Sequence, residues 1–341
     1  MKIGLRQVAE QAGVSVSTVS RALNGQARVD PKTRERIRVA METLNYRAYP
    51  SAEELAPKPT RLLGFLMPEE MQVLGLDNSV YGSVINAVRA AAGQAGYGLT
   101  IATYTNGPDN ITVGDRLLAQ KSLDGVLLYR TRLSDESFER FRDLGLLFVV
   151  IGRLFDRDPF HCVGVDNRQC GHIAIRHLLS LGHQRIAFVN GPRNIAPSQQ
   201  RLEGFRQGMR EAHVAPREEW LVECNYDPTL AFEIARGLMK STERPTAIIA
   251  ANDRVAWAIL RAVQEQGLNV PADVSVIGFD DATESAHVTP PLTTISLEWK
   301  QMAEIATQTL VEVLRRKIIR QVYIALEPKL VVRQSTATPG R

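Results

Sequence analysis

Only three cysteines, Cys162, Cys170 and Cys224, occur in 341 residues. Their odd number and uneven spacing argue against a disulfide framework and predict free thiols in a reducing compartment. No apolar run approaches the roughly 18 residues that a membrane-spanning helix needs, so no membrane partner is expected. Met1 to Leu5 carry one lysine and neither an apolar h-region nor a small-residue cleavage pattern, which predicts no secretory signal and a cytoplasmic location. Catalytic signatures are missing as well: there is no HExxH, CxxC or Walker-type loop, and no Ser-His-Asp or Cys-His grouping at credible spacing. Catalysis and a cofactor are therefore not expected. Cys162 beside His161 and Cys170 near His172 come nearest to a metal set. Cys162 falls in an apolar strand and Cys170 on an amphipathic helix, where buried thiols are ordinary, so no metal is expected either. His183, after Gly182 at a helix-to-strand turn, is expected to make a backbone hydrogen bond rather than relay protons.

What is present is the composition of a globular protein, 44% hydrophobic and 23% charged, long enough for one small and one large module. The net charge of +4 is unevenly spread. Residues 1 to 61 hold eleven Lys or Arg against six acids, and the other 280 residues carry one net negative charge. A basic head on a near-neutral body is the footprint of a chain that touches phosphate at one end.

Within that head, Leu5, Val8, Ala9 and Ala12 recur at helical spacing up to Gly13. A second helical run, Val16, Val19, Ala22 and Leu23, follows Ser15 and stops before Asn24-Gly25. Gly13 suits the sharp turn, Val14 plugs the junction and Ser15 caps the second helix. Asp30 and Pro31 open a third helix running to Leu44. The spacing predicts an all-α helix-turn-helix head over residues 1–46. Its second helix would lie in the major groove of double-stranded DNA, with Val16, Ser17 and Arg21 reading bases. Ser15, Thr18, Ser20 and Asn24 suit phosphate contacts, although Ser20 serves equally as a packing residue. Leu5 completes the DNA-facing candidates. The alternative is a helical hairpin in a protein-binding domain.

The runs LRQVAEQAGVSVSTVSRALNG and VDPKTRERIRVAMETLNY closely resemble the N-terminus of the lactose-repressor and galactose-repressor (LacI/GalR) family of bacterial transcriptional regulators. The resemblance implies that Val16, Ser17 and Arg21 carry operator readout and that a homodimer reads a pseudo-palindrome. No leucine-heptad tail follows Gln334, so a dimer rather than a tetramer is expected. Residues 47–61 read as a Pro-rich, charged linker. By resemblance this stretch forms a hinge helix on DNA, with Leu55 wedged into the minor groove. The family's proline and asparagine align with Ala48 and Tyr49, proline stands instead at Pro50, and Glu53 and Glu54 oppose phosphate unless they point outward. A flexible tether whose leucine packs on its dimer mate is the other outcome.

From Leu62 onward, strand-like runs alternate with helical stretches near 80–95, 168–181, 199–212, 253–266 and 299–316. This predicts parallel α/β layering in two parallel-sheet subdomains, and the family resemblance implies an α/β, periplasmic-binding-protein-like core in an effector-binding and dimerisation domain over 62–341. The expected halves are about 62–161 plus 292–322 and about 162–291 plus 323–336.

Ligands of such proteins bind at the carboxyl ends of strands. Asn252 and Asp253 end TAIIAAN, Asp280 and Asp281 end VSVIGFDD, Asp166 and Asn167 end HCVGVDN, and Arg201 opens the helix after RIAFVNG. Arg, Asn and Asp pair with adjacent hydroxyls, and Tyr226 or Phe65 offers an apolar platform to a sugar ring. Resemblance assigns Arg201, Asn252 and Asp280 to the effector and places Tyr226 near a stacking aromatic. Asp253 is expected as a helix N-cap, Asp281 as a loop cap and Asp166 as a strand-end turn former.

The expected function is repression of transcription under control of a small-molecule effector, with a sugar as the expected class. Gly152-Arg153 stands where the family often has a sugar-contacting aspartate, and an IGR variant resembles regulators of α-glucoside or other oligosaccharide uptake. A purine, nucleoside or protein corepressor is the alternative effector. A cytoplasmic sugar-binding receptor, and a sugar-converting enzyme using Asp280 and Asp281, are the readings from other classes.

Overall fold

The structure, a computed structural model, describes residues 5–23, 29–44, 59–68, 79–104, 122–129, 146–152, 160–316 and 320–340. Backbone contacts divide the chain into two units between Pro59 and Thr60.

The described part of the first unit is three helices, α1 (Leu5–Ala12), α2 (Val16–Leu23) and α3 (Pro31–Thr43). Gly13 ends α1 by taking a φ of 62°, a left-handed angle open to glycine, and the Val14 N–H returns to the Ala9 carbonyl at 3.0 Å. The Ser15 hydroxyl then accepts the Thr18 N–H at 3.1 Å, capping α2. Asp30 caps α3 by accepting the Thr33 N–H at 3.0 Å, with Pro31 at the first helical position. Val8, Ala9, Ala12, Val19, Ile37 and Ala40 close one small core from all three helices. The Arg36 guanidinium crosses from α3 to the carbonyls of Ala12 and Gly13, which have no helical partner at the end of α1.

The second unit contains two six-stranded sheets. In the first, Leu62–Pro68 (β1), Gly98–Tyr104 (β2), Gly125–Tyr129 (β3), Phe148–Ile151 (β4), His161–Val165 (β5) and Tyr323–Leu326 (β11) run in the order β11-β5-β4-β3-β1-β2, all parallel. In the second, Ile186–Asn190 (β6), Leu221–Glu223 (β7), Ala247–Ala250 (β8), Ser275–Phe279 (β9), Thr293–Ser296 (β10) and Lys329–Val331 (β12) run in the order β12-β10-β9-β8-β6-β7. Only β12 is antiparallel there. β3, β6, β8 and β9 are buried along their whole length, as parallel strands covered on both faces must be. The described helices of this unit are α4 (Ser79–Gln94), α5 (Asn167–Ser180), α6 (Ala196–Glu211), α7 (Pro228–Lys240), α8 (Asp253–Glu265) and α9 (Trp299–Arg316).

The division of strands between the sheets differs from the expected halves. β5 pairs with β4 and belongs to the first sheet, β10 pairs with β9 in the second, and β11 pairs with β5 in the first. The chain therefore passes between the sheets three times: after β5, after β10 and after β11. Each of these strands is a short run that carries no mark of one sheet or the other. Pairing register, such as Val149 opposite His161 and Thr293 opposite Ile277, decides the partner, and no local pattern encodes it.

All three cysteines are free and buried. Burial pushes the Cys170 thiol up to about 12 and the Cys224 thiol up to about 11, leaving both as unreactive thiols. His183 does bond a backbone carbonyl, that of Ala337 at 2.8 Å.

Candidate functional site

On the head, the side chains that build the core leave one face of α2 outward. Val16 is 42% exposed at its first turn, Ser17 is exposed beside it, and Arg21 one turn on is exposed with its Nε donating to the Ser17 carbonyl at 3.1 Å. Ser15 is exposed, while Thr18 and Ser20 are half-buried against the head. The Ser15 hydroxyl lies 2.8 Å from that of Ser17 and 2.7 Å from that of Thr18, so capping and the outward face share one polar cluster. Leu5 begins α1, and its side chain lies outside the described residues, as do Asn24, Leu55 and most of the expected linker.

In the second unit Arg201 and Asn252 meet around Ala251 after β8, and Asp280 follows β9. Of the expected effector residues only Asp280 lines the cavity between the two sheets, and Arg201, Asn252 and Tyr226 are not among its lining residues. Arg201 is only 5% exposed. Its Nε donates to Asn167 Oδ1 at 3.0 Å, one Nη donates to the Ala251 carbonyl at 2.8 Å, and its guanidinium lies 4.4 Å from the centre of the Phe279 ring. Such stacking is worth more where water is excluded. Asn252, next to Ala251, is the N-cap of α8, its side chain accepting the Val255 N–H at 2.9 Å. Asp253 is therefore not the cap. It is the first residue of the helix, buried, and bonded to other segments. Asp166 caps α5 through the N–H groups of Arg168 and Gln169. The hydroxyl of Tyr226 lies 2.8 Å from that of Ser198, one turn before Arg201 on α6. Phe65 stands apart from this group. It is fully buried on β1, 5.7 Å from the Tyr129 ring, and is a core residue rather than an open platform.

A cavity of about 270 Å³ opens between the two sheets, lined by Ser79 and Ser83 of α4, by Asp280, Asp281 and Thr283 after β9, and by Ser296, Glu298 and Trp299 at the start of α9, among others. Trp299 packs on Tyr129 at 5.5 Å, and its indole N–H donates to Asp280 Oδ1 at 3.1 Å. Asp281 is held by Arg333 at 2.6 Å rather than by a cap. Ser79 donates to the Glu284 carboxylate and accepts the Thr283 N–H at 3.3 Å, joining the two lobes at the rim. Asp280 and Asp281 both sit at positive φ, 107° and 56°. Non-glycine residues hold such angles only where their surroundings over-determine them. A lining that mixes the edge of a buried tryptophan with carboxylates and hydroxyls suits a ligand rich in hydroxyls.

The serines, Glu298 and Trp299 were not singled out from the sequence. The signal that was available is the pair Glu298-Trp299, one residue after the strand TTIS and at the start of the following helix.

The fold and these two regions define a class: a DNA-binding transcriptional regulator with a helix-turn-helix head and a ligand-binding core of the periplasmic kind. Residues 4–48 match the bacterial regulatory proteins of the lacI family, and residues 175–336 match the periplasmic binding protein-like domain. Along 97% of this chain and 98% of the relative, 31% of residues are identical to the HTH-type transcriptional repressor PurR of Mannheimia succiniciproducens. The complex of the transcriptional regulator CelR with cellobiose is similar in structure, with a TM-score of 0.74 and 28% identity over 98% of this chain and all of that one. So is the Lac repressor dimer bound to operator and the anti-inducer ONPF, with a TM-score of 0.70 and 27% identity over 99% of this chain and all of that one. The chain belongs to the lacI family of bacterial regulatory proteins. Among the described residues no helix is long and apolar enough to cross a membrane.

Proposed function

We propose that the chain represses transcription as a homodimer on a pseudo-palindromic operator, and that a neutral sugar bound between its two sheets sets the affinity for DNA. One observation carries the DNA half. An apolar side chain, Val16, stands in solvent on the first turn of α2 beside Ser17 and Arg21, while the head's core is closed without any of them. A methyl-bearing side chain there matches the thymine methyl, and arginine matches guanine.

For the effector, Trp299, buried against Tyr129, contributes apolar wall to the cavity, and Asp280, Glu298 and the serines accept from or donate to ring hydroxyls. Asp281 is paired with Arg333 and Glu298 with Lys329, so the mouth holds no surplus of positive charge that would favour a sugar phosphate over a neutral sugar. The structural likeness to a regulator solved with cellobiose points the same way. A planar purine would also lie against Trp299, but would leave the carboxylates with fewer donors to accept from.

Selection of binding sites from random duplex DNA, followed by thermal-shift screening with cellobiose, maltose, glucose, adenine and guanine, tests both halves. A recovered palindrome and a shift with a neutral sugar are expected. Recovery of no preferred sequence would remove the DNA half, and a shift only with purines would replace the effector class.

A further inference from the structure

Asp253 is 1% exposed. Helix capping does not require it, because Asn252 already accepts the Val255 N–H. Its carboxylate instead gathers donors from two other segments: Oδ2 accepts from the Ala282 N–H and the Ser285 hydroxyl, both at 2.8 Å, and Oδ1 accepts from the Thr294 hydroxyl of β10 at 2.6 Å. Gly278 of β9 leaves the slot open, since a Cβ there would lie 2.3 Å from Oδ1. Ser285 in turn accepts the indole N–H of Trp257 at 3.2 Å, which carries the bracket back into α8.

A carboxyl group out of water is tolerated only when its polar atoms are met, and three hydrogen-bond partners meet those of Asp253. Burial and the nearby Asp280 push its pKa up to about 8, while the bonds from Thr294, Ser285 and Ala282 pull it down. The segment it holds is the one whose course is strained. Asp280 and Asp281 take positive φ immediately before Ala282, and residues 280, 281 and 283 line the cavity, with Glu284 reaching Ser79.

We propose that Asp253 is a positioning residue of the pocket: without touching the ligand, its carboxylate fixes segment 280–286 and with it the placement of Asp280. The link to the effector rests on the function proposed above for this cavity.

The test uses full-length Asp253→Asn, whose amide sets an N–H against at least one donor, and Thr294→Val, which removes a donor from the opposite side and leaves Asp253 in place. Amide hydrogen exchange is followed over 280–286 and over strands 186–190 and 247–250. Expected in both variants is exchange over 280–286 faster by about tenfold or more, the scale of one lost hydrogen bond, with the two strands as protected as in the unaltered chain. Isothermal titration with cellobiose and maltose should show a matching loss of affinity for whichever the unaltered chain binds. Unchanged exchange over 280–286, or equal acceleration across the strands, would overturn the proposal, and Thr294→Val decides if Asp253→Asn does not fold. Local acceleration in a chain that binds neither sugar supports the bracket and counts against the effector class, so the two fail separately.

Discussion

The indole N–H of Trp299 donates to the Asp280 carboxylate at 3.1 Å. Trp299 begins the helix that leaves the second sheet for the first, packed on Tyr129, whereas Asp280 leaves the end of β9. One hydrogen bond thus spans the lobes at the wall of the cavity, and a ligand engaging either group would change how the lobes are joined. Coupling between sites needs such an element, with contacts that differ between two states.

Trp299→Phe keeps the ring on Tyr129 and removes the donor. A loss of about 1 kcal/mol on chemical unfolding is expected, the net worth of an ordinary hydrogen bond. Urea titration followed by circular dichroism checks it. An unchanged midpoint would mean that the bond contributes nothing to joining the lobes.

Helices α5 and α6 approach so closely that a Cβ at Gly204 would lie 1.9 Å from the Arg168 carbonyl. Backbone must move to admit Gly204→Ala, and Arg201, three residues earlier on the same helix, would shift away from Asn167. Overpacking of this kind costs about 1 to 3 kcal/mol or more. The expected outcome is lower thermal stability together with loss of any sugar-induced shift. A variant as stable and as responsive as the parent would show that the close approach is dispensable.

The carbonyls of Ala12 and Gly13 depend on the Arg36 guanidinium. Arg36→Ala should weaken binding to all DNA sequences alike by loosening the turn, and should lower head stability by about 1 kcal/mol. Competition between selected and random duplexes distinguishes this from a lost base contact, which would change the preferred sequence.

His183 and His177 hold residues 336 and 337. His183 contacts Thr246, Ser275 and the Ala337 carbonyl, and His177 lies 3.0 Å from the Thr336 hydroxyl. Burial lowers both pKa values below 6.5; for His183 the neighbouring His177 adds to this and the Ala337 bond opposes it. The unfolded chain therefore takes up protons first as pH falls. The stability contributed by the neutral rings is present above 6.5 and is lost as pH falls through the lowered values. Urea unfolding of the parent and His183→Gln at pH 7.5 and 5.5 should show the smaller pH dependence in the variant. Equal dependence would place the titration elsewhere.

Much of this was legible in the sequence because local chemistry dictated it. Gly13, Ser15, Asp30 and Pro31 fixed the head's turn and caps, and Cys162 and Cys170 fell where apolar neighbours predicted burial. The placement of Asn252 and Asp280 after β8 and β9 followed from strand ends, although only Asp280 lines the cavity. What local pattern could not supply was pairing between distant segments. β5, β10 and β11 (HCVGV, TTIS and YIAL) do not reveal their sheet by composition, and only their pairing partners decide it. Phe65 and Tyr226 are both aromatics that could have faced a ligand, yet Phe65 lies mid-strand in β1 under Tyr129, whereas Tyr226 meets Ser198. Asn252 and Asp253 are adjacent, and which of them caps α8 depends on Thr294 and Ser285, dozens of residues away.

Operator affinity measured by fluorescence anisotropy, with and without the sugar found by screening, in the parent, Arg21→Ala and Asp280→Asn, tests the account most directly. In the parent the sugar should shift affinity about 5- to 150-fold, a coupling of ~1 to 3 kcal/mol. Arg21→Ala should lose ~1 to 3 kcal/mol at the selected site and keep sugar binding, whereas Asp280→Asn should bind the operator like the parent and lose the shift. Operator affinity that no sugar alters, or a joint loss of both properties in each variant, would contradict the separation of a DNA-reading head from an effector-reading cleft.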